Sequence, residues 1–215
     1  MTNYTVELNK LVKYFGRRLI FDGIDYSFQS GHVYGISGPN GSGKSTLVKI
    51  IACLISPTKG KIKHSFEGKV IEEEALHNFL GFVSPYLFLY DEFTAEENLR
   101  HISKVRGLKF NKERSDFLLN EFNLYERRSD LLRGFSSGMK QRLKFAFALL
   151  HEPQLLILDE PTSNLDNSGK EKVYQFIKSE GKTRLVLVAS NEEADLALCE
   201  KVLELQNFKN LQPKR

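Results

Sequence analysis

GISGPNGSGKSTLVKI, residues 35–50, runs a short apolar strand, a glycine-rich loop and the first turns of an amphipathic helix together without a break. Gly38, Pro39, Asn40, Gly41, Ser42, Gly43, Lys44 and Ser45 fit the phosphate-loop pattern G-x-x-x-x-G-K-[ST] without a gap. Four fixed positions match by chance in roughly one chain in a hundred of this length, and the strand–loop–helix setting lowers that further. Glycines let successive backbone N–H groups turn inward around an anion, and the helix N-terminus adds its dipole. Lys44 is placed to neutralise β- and γ-phosphates and Ser45 to offer a hydroxyl to Mg²⁺, with Thr46 completing the loop's contacts.

Such a metal also needs a carboxylate at the end of a neighbouring buried strand, and LLILDE (residues 155–160) supplies it. Asp159 ends the apolar run and is placed to orient Mg²⁺, through water. Glu160 follows, where a carboxylate can polarise an attacking water as general base. Taken alone, the two acids would equally cap the turn Pro161-Thr162-Ser163; beside a phosphate loop the catalytic reading is the stronger. LVLVASN (residues 185–191) is a second strand too apolar to face water on either side, and it ends on Ser190 and Asn191.

The bulk properties are those of a soluble globular chain of 215 residues, 41% hydrophobic and 27% charged. The longest apolar runs, FAFALL and LLIL, are far too short to span a bilayer, and the start MTNYTVELNK lacks the apolar core of a secretion signal. A net charge of +4, dispersed in stretches such as ERRSDLLRG and KTR, makes no basic block, and no nucleic-acid partner is expected. Cys53 and Cys199 read as two buried thiols of a cytosolic protein.

Alternation in YTVELNKLV, IDYSF and HVYGIS predicts strands, and GKIKHSFEGKVI a hairpin around Glu67-Gly68. NFLGFVS is a further strand. Residues 93–151 read as helical throughout, opened by Thr94 and Glu97 at capping-box spacing, punctuated by Gly107 and Gly134, and closed by SGMKQRLKFAFALLH. A helix near GKEKVYQFIKSE and a last strand, KVLELQ, complete the layout. The NLQPKR tail is too short for a further domain.

FSSGMKQRLKFAFALLHEPQLLILDEPTSNLD, residues 135–166, resembles the ATP-binding cassette (ABC) ATPases. Their signature LSGGQ-x-QR starts a helix just before the second acidic motif. Ser136 and Gly138 stand at the signature serine and second glycine, Ser137 replaces the first glycine, and Met139 the glutamine. SNLD resembles the D-loop, with Asp166 its acidic member, and DEFTAEENL resembles the opening of the family's helical insert.

The resemblance implies an α/β fold: a RecA-like P-loop NTPase core with an N-terminal antiparallel β subdomain and an inserted α-helical subdomain. Residues 1–84 and 152–215 would form the catalytic core and 85–151 the insert. It implies ATP and Mg²⁺ as ligands, and Phe15 of KYFG, beside Tyr14, stacked on adenine. The signature would serve the nucleotide of a second copy, in a head-to-tail dimer. Integral membrane subunits would dock on the insert, at the cytoplasmic face of a membrane.

Two positions depart from the family pattern. Asn191 stands where a histidine contacts the γ-phosphate; its amide donates a hydrogen bond but cannot carry positive charge. Pro85, followed by Tyr86, stands where a glutamine ligates Mg²⁺. The sequence therefore reads as a slow ATPase driving transport through separate membrane subunits, leaning to export on the form of its signature. The alternative is a soluble ABC ATPase acting on a protein assembly or nucleic acid; a regulatory module without turnover is the third reading, opposed by the intact Glu160.

Overall fold

The computed structural model describes residues 3–209; the NLQPKR tail lies outside the described residues. Among the described residues nine strands divide into two sheets. β1 (Tyr4–Phe15), β2 (Arg18–Gln29), β4 (Lys59–Phe66) and β5 (Lys69–Ile71) form an antiparallel sheet in the order β2-β1-β4-β5. β3 (His32–Ser37), β6 (Leu80–Val83), β7 (Leu155–Asp159), β8 (Leu185–Ala189) and β9 (Lys201–Glu204) form a parallel sheet in the order β6-β7-β8-β3-β9. This is the expected α/β architecture.

The uniform apolarity of LLILD and LVLVA has a direct cause. Leu155, Ile157, Leu185, Leu187 and Ala189 enter one hydrophobic cluster, while Leu156, Leu158, Val186 and Val188 enter the other. Side chains alternate across a strand, so a strand buried on both faces must be apolar at every position. The first cluster packs the antiparallel sheet and α1 (Lys44–Ile51) against the parallel one. The second packs α2 (Ala95–Val105), α3 (Lys112–Glu121), α4 (Ser137–Leu149) and α5 (Asn167–Glu180) on the opposite face. Leu143, Phe145, Ala146 and Leu149 of α4 are fully buried packing residues. β6 lies so close to α4 that a Cβ at Gly81 would stand 2.5 Å from the Ala148 carbonyl oxygen.

Several elements differ in extent from their sequence reading. β2 starts at Arg18 rather than near Ile24, because a two-residue turn at Gly16-Arg17 sets Phe15 opposite Arg18. The hairpin around Glu67-Gly68 forms as expected, with Phe66 opposite Lys69. Residues 93–151 hold several helices as expected, α2, α3 and α4, but are not helical throughout: turns and 3₁₀ segments at Tyr125–Arg127 and Leu132–Gly134 lie between them. The Thr94 capping box is present, with Thr94 Oγ1 accepting from the Glu97 N–H at 3.1 Å and Glu97 Oε2 accepting from the Thr94 N–H at 2.8 Å. The last strand stops at Glu204, and Leu205–Phe208 turns into 3₁₀ geometry. The two thiols are half-buried rather than buried, and free. Burial raises their pKa to about 11 for Cys53 and about 12 for Cys199.

Two histidines, His64 buried and His151 half-buried, make the fold acid-sensitive. His64 Nδ1 meets the Tyr4 hydroxyl at 2.9 Å, and His151 donates from Nε2 to the Leu80 carbonyl at 3.0 Å. Burial lowers the pKa of each from 6.5 to about 4. The unfolded chain therefore binds more protons between these values, so their contribution is whole above about pH 6.5 and is lost as pH falls toward 4. The expected loss by pH 5 is about 1–2 kcal/mol per histidine. Urea unfolding at pH 7.5 and 5.0 reads it; equal midpoints would refute it.

Candidate nucleotide site

The glycine-rich loop leaves β3 and enters α1 at Gly43. Gly43 has φ 109°, and a Cβ there would stand 2.5 Å from Cγ2 of Ile20 on β2. Only glycine lets the helix begin this close to the neighbouring strand. The Lys44 side chain is buried, and its Nζ donates to the carbonyl of Gly38 at 2.7 Å and of Pro39 at 3.5 Å. Its ammonium is thus held inside the loop's own concavity. Burial pulls its pKa down, while the charges of Glu160 and Asp159 work in the opposite direction.

At the second residue of α1, Ser45 Oγ donates to Asp159 Oδ1 at 3.1 Å. Asp159 is 1% exposed, and its Oδ2 is buried without a hydrogen-bond partner. Burial raises its pKa; the Ser45 hydrogen bond lowers it, nearby Glu160 raises it, and Lys49 and Lys44 lower it. A buried carboxylate oxygen left unpaired is costly. A hydroxyl and a carboxylate at this separation suit a magnesium ion that takes its other ligands from phosphate and water. Among the described residues no cluster of three or more His, Cys, Asp or Glu side chains could hold a metal, so phosphate and water would have to complete the shell.

Glu160 adopts a left-handed backbone, φ 50°, which strains a non-glycine residue. Its N–H donates to the Ala189 carbonyl at 2.9 Å, tying the end of β7 to the end of β8. A cavity of about 270 Å³ is lined by residues 40–46, Glu160, Phe15, Arg18 and Ile20. Phe15 is 51% exposed, with Lys13 Nζ 4.8 Å from its ring centroid. An aromatic at this strand end is therefore a surface residue, not core. Arg18 is a cavity residue that the sequence reading missed; its only signal is the Gly16-Arg17 turn that returns the chain beside Phe15.

The remaining candidate residues lie elsewhere. Ser136 caps α4, its Oγ accepting from the Met139 N–H at 3.2 Å, and Ser136 and Ser137 are exposed. Ser137 lines a different cleft, with Pro85, Asp91, Lys144 and Asn164. Gly138 packs against the chain's own D-loop, where a Cβ would stand 3.1 Å from the Asn164 carbonyl oxygen. Asp166 caps α5, with Oδ1 accepting from the Gly169 N–H at 2.8 Å. Asn191 is exposed and does not line the phosphate cavity.

Pro85 brings no side-chain donor to the metal. Instead Lys144 of α4 donates to the carbonyls of Ser84 and Pro85, both at 3.0 Å, so the loop after β6 is tied to the signature helix. Gln141, on the same helix, donates to the Pro161 carbonyl at 3.0 Å. One helix thus grips both chain segments that leave the parallel sheet beside Asp159.

The family model described as "ABC transporter" matches residues 21–163, which include the phosphate loop, the signature and Asp159-Glu160. The chain belongs to the ABC transporter family. It carries that family's ATP-binding ATPase fold. It is 33% identical over 200 residues to the daunorubicin resistance ATP-binding protein DrrA3 of Streptomyces coeruleorubidus, covering 91% of this chain and 63% of that protein. It is 32% identical over 216 residues to the Nod factor export ATP-binding protein I of Rhizobium sp. (strain N33), covering 98% and 71%. The chain thus spans about two thirds of these relatives' own lengths. A solved structure of a putative ABC transporter ATP-binding protein from Pyrococcus furiosus superposes with a TM-score of 0.80 at 26% identity, covering 95% of this chain and 98% of that one.

Proposed function

We propose that this chain is the ATP-hydrolysing subunit of an export-type ABC transporter, working as a head-to-tail homodimer beneath separate membrane subunits. The observation that carries the dimer is a separation: the phosphate cavity contains no signature residue, while Ser136 and Ser137 are exposed on the N-terminus of α4. A serine hydroxyl and free amides at a helix N-terminus suit a γ-phosphate, and a second copy would bring them to it. In each site Phe15 would stack on adenine, residues 38–46 would hold the phosphates, Ser45 and Asp159 would hold Mg²⁺ to offset phosphate charge, and Glu160 would take a proton from the attacking water. Asp166 of each D-loop faces the other copy.

A larger apolar cleft of about 500 Å³ supports the membrane partner. It is lined by Leu54, Leu76, Leu80, Phe82, Leu87, Phe147 and others, and shares no residue with the phosphate cavity. Tyr86 and Phe88, 76% and 85% exposed, flank its Leu87. Exposed apolar surface of this kind marks a protein contact. Among the described residues no helix is long and apolar enough to cross a membrane, so residues 85–151 would take up motion from another chain, at the cytoplasmic face. Export follows the relatives, two of which are named for drug resistance and Nod factor export.

Purifying the tagged protein from its native membranes in mild detergent tests this reading. A stoichiometric integral membrane protein supports it; recovery of soluble proteins or RNA alone overturns it in favour of a soluble ABC ATPase.

Asn191 does not line the phosphate cavity of the single chain; we propose that in the assembled complex it reaches the terminal phosphate and limits the rate. A hydrogen bond to a charged partner is worth roughly 1.5–3 kcal/mol, and the neutral amide forgoes part of that. Asn191→His in the assembled complex is expected to raise turnover about ten- to a hundredfold. An unchanged or lower rate of phosphate release rules the idea out.

A further inference from the structure

Asp195 lies on the short helix α6 (Glu193–Leu196) and is 1% exposed. Three hydroxyls from three other segments donate to its carboxylate. Ser190 Oγ reaches Oδ2 at 2.7 Å, Thr162 Oγ1 reaches Oδ1 at 2.9 Å, and the Tyr174 hydroxyl reaches Oδ1 at 3.0 Å. No ion pair neutralises it among the described residues: Lys170, whose charge acts on it, is itself bound to Glu192 at 2.8 Å. Tyr174 stays a neutral donor, its pKa raised to about 12 by burial first and by the charge of Asp195 next.

A buried carboxylate without a cation is tolerated only when its oxygens are fully hydrogen-bonded. Each donor here therefore fixes the place of the others. Their positions in the chain give the network its meaning. Ser190 is the first residue after β8, and its Oγ also accepts from the Glu192 N–H at 3.1 Å, closing a turn whose central residue is Asn191. Thr162 lies two residues beyond Glu160, in a turn closed by Ser163 N–H to the Glu160 carbonyl at 3.2 Å and Leu165 N–H to the Thr162 carbonyl at 3.2 Å. Tyr174 stands on α5, the helix that Asp166 caps.

We propose that Asp195 is a positioning residue for ATP hydrolysis: its carboxylate locks the Glu160 turn and the Asn191 turn to one another and to the helix behind the D-loop. The inference rests on the assignment of Glu160 and Asn191 to the hydrolytic site. Asp195 touches no nucleotide; it fixes where those two side chains stand. Because a small misplacement of a catalytic group costs rate more than affinity, the network sets turnover and leaves the phosphate loop's grip on ATP as it is.

The test is single-turnover ATP hydrolysis with the purified chain in excess, with binding of a fluorescent ATP analogue used to count folded sites. Asp195→Asn, which turns one acceptor into a donor facing a hydroxyl, is expected to slow hydrolysis about ten- to a hundredfold per folded site, with analogue affinity within about twofold. Thr162→Val is expected to do the same, and Thr162→Ser, which keeps the hydroxyl, to recover most of the rate. If Asp195→Asn fails to fold, the Thr162 pair decides alone. Equal rates for the valine and serine variants overturn the proposal, because a merely structural role would lower the number of folded sites and not the rate of each. Glu160→Gln is the control. If it hydrolyses ATP normally, the catalytic assignment falls and the inference with it; if it is inactive while Thr162→Val runs at the wild-type rate, the positioning role alone falls.

Discussion

Glu160→Gln is expected to stop phosphate release, with a rate loss of about 10²–10⁴-fold, while ATP still binds. Proton transfer by a positioned side chain contributes a factor of that size, and glutamine keeps the shape and one acceptor oxygen but cannot take the proton. The substitution is clean because the unusual feature at this position is in the backbone. Glu160 sits at φ 50° with its N–H on the Ala189 carbonyl, and glutamine meets the same constraint as glutamate. The phosphate loop, Ser45 and Asp159 are untouched. ATP should therefore accumulate unhydrolysed between two copies, so that sedimentation in ATP and Mg²⁺ shows a dimer for Glu160→Gln and a monomer in ADP. Retention of more than a tenth of the wild-type rate would assign the base to another group.

What could be read in advance was whatever lies close together along the chain. The phosphate loop, the acids ending LLILD and the capping box at Thr94 are local patterns, and each has a local physical cause. The continuous apolarity of LVLVA was legible too, because a strand covered on both faces leaves no other composition. What escaped depends on distant segments meeting. The Lys144 bonds to Ser84 and Pro85 join positions 60 and 59 residues apart, and Asp195 gathers hydroxyls from as far back as Thr162, 33 residues away. In sequence, Asp195 is one more acid in a polar stretch, EEAD. Phe15 presented the opposite difficulty, since an aromatic in a strand reads more readily as core, and only the turn at Gly16-Arg17 puts it on the surface beside the phosphate-loop cavity.

The Pro85 position shows why a departure from a family pattern must be judged with its surroundings. The loop after β6 carries Pro85 and Tyr86, neither of which offers a carboxamide, yet it is not loose. Lys144 holds its first two carbonyls, and Asn98 holds Tyr90 further along, accepting from the Tyr90 N–H at 2.9 Å and donating to its carbonyl at 3.0 Å. Burial lowers the Lys144 pKa, in keeping with an ammonium whose donors turn inward to carbonyls rather than to water. The loop is thus tied to the signature helix within its own subunit, and it carries Leu87, which lines the apolar cleft.

Lys44→Met is expected to weaken ATP binding about ten- to a hundredfold and to leave the fold intact. The Lys44 side chain is already buried and its ammonium already sits on the Gly38 carbonyl, so little conformational freedom remains to be lost when phosphates arrive. Methionine fills the same unbranched volume, which separates loss of charge from loss of packing. What disappears is one set of charge-assisted hydrogen bonds to the β- and γ-phosphates, worth roughly 1.5–3 kcal/mol. The lost cation also leaves the negative charges of Asp159 and Glu160 less balanced, which works against a polyanion in the same cavity. The penalty should be larger for ATP than for ADP, because the γ-phosphate adds negative charge that the lysine ammonium meets directly. Calorimetric titration of both nucleotides in Mg²⁺ measures it directly. Equal losses for ATP and ADP would mean that Lys44 supports the loop's shape and not the terminal phosphate, and an unchanged affinity for both would remove it from the nucleotide site altogether.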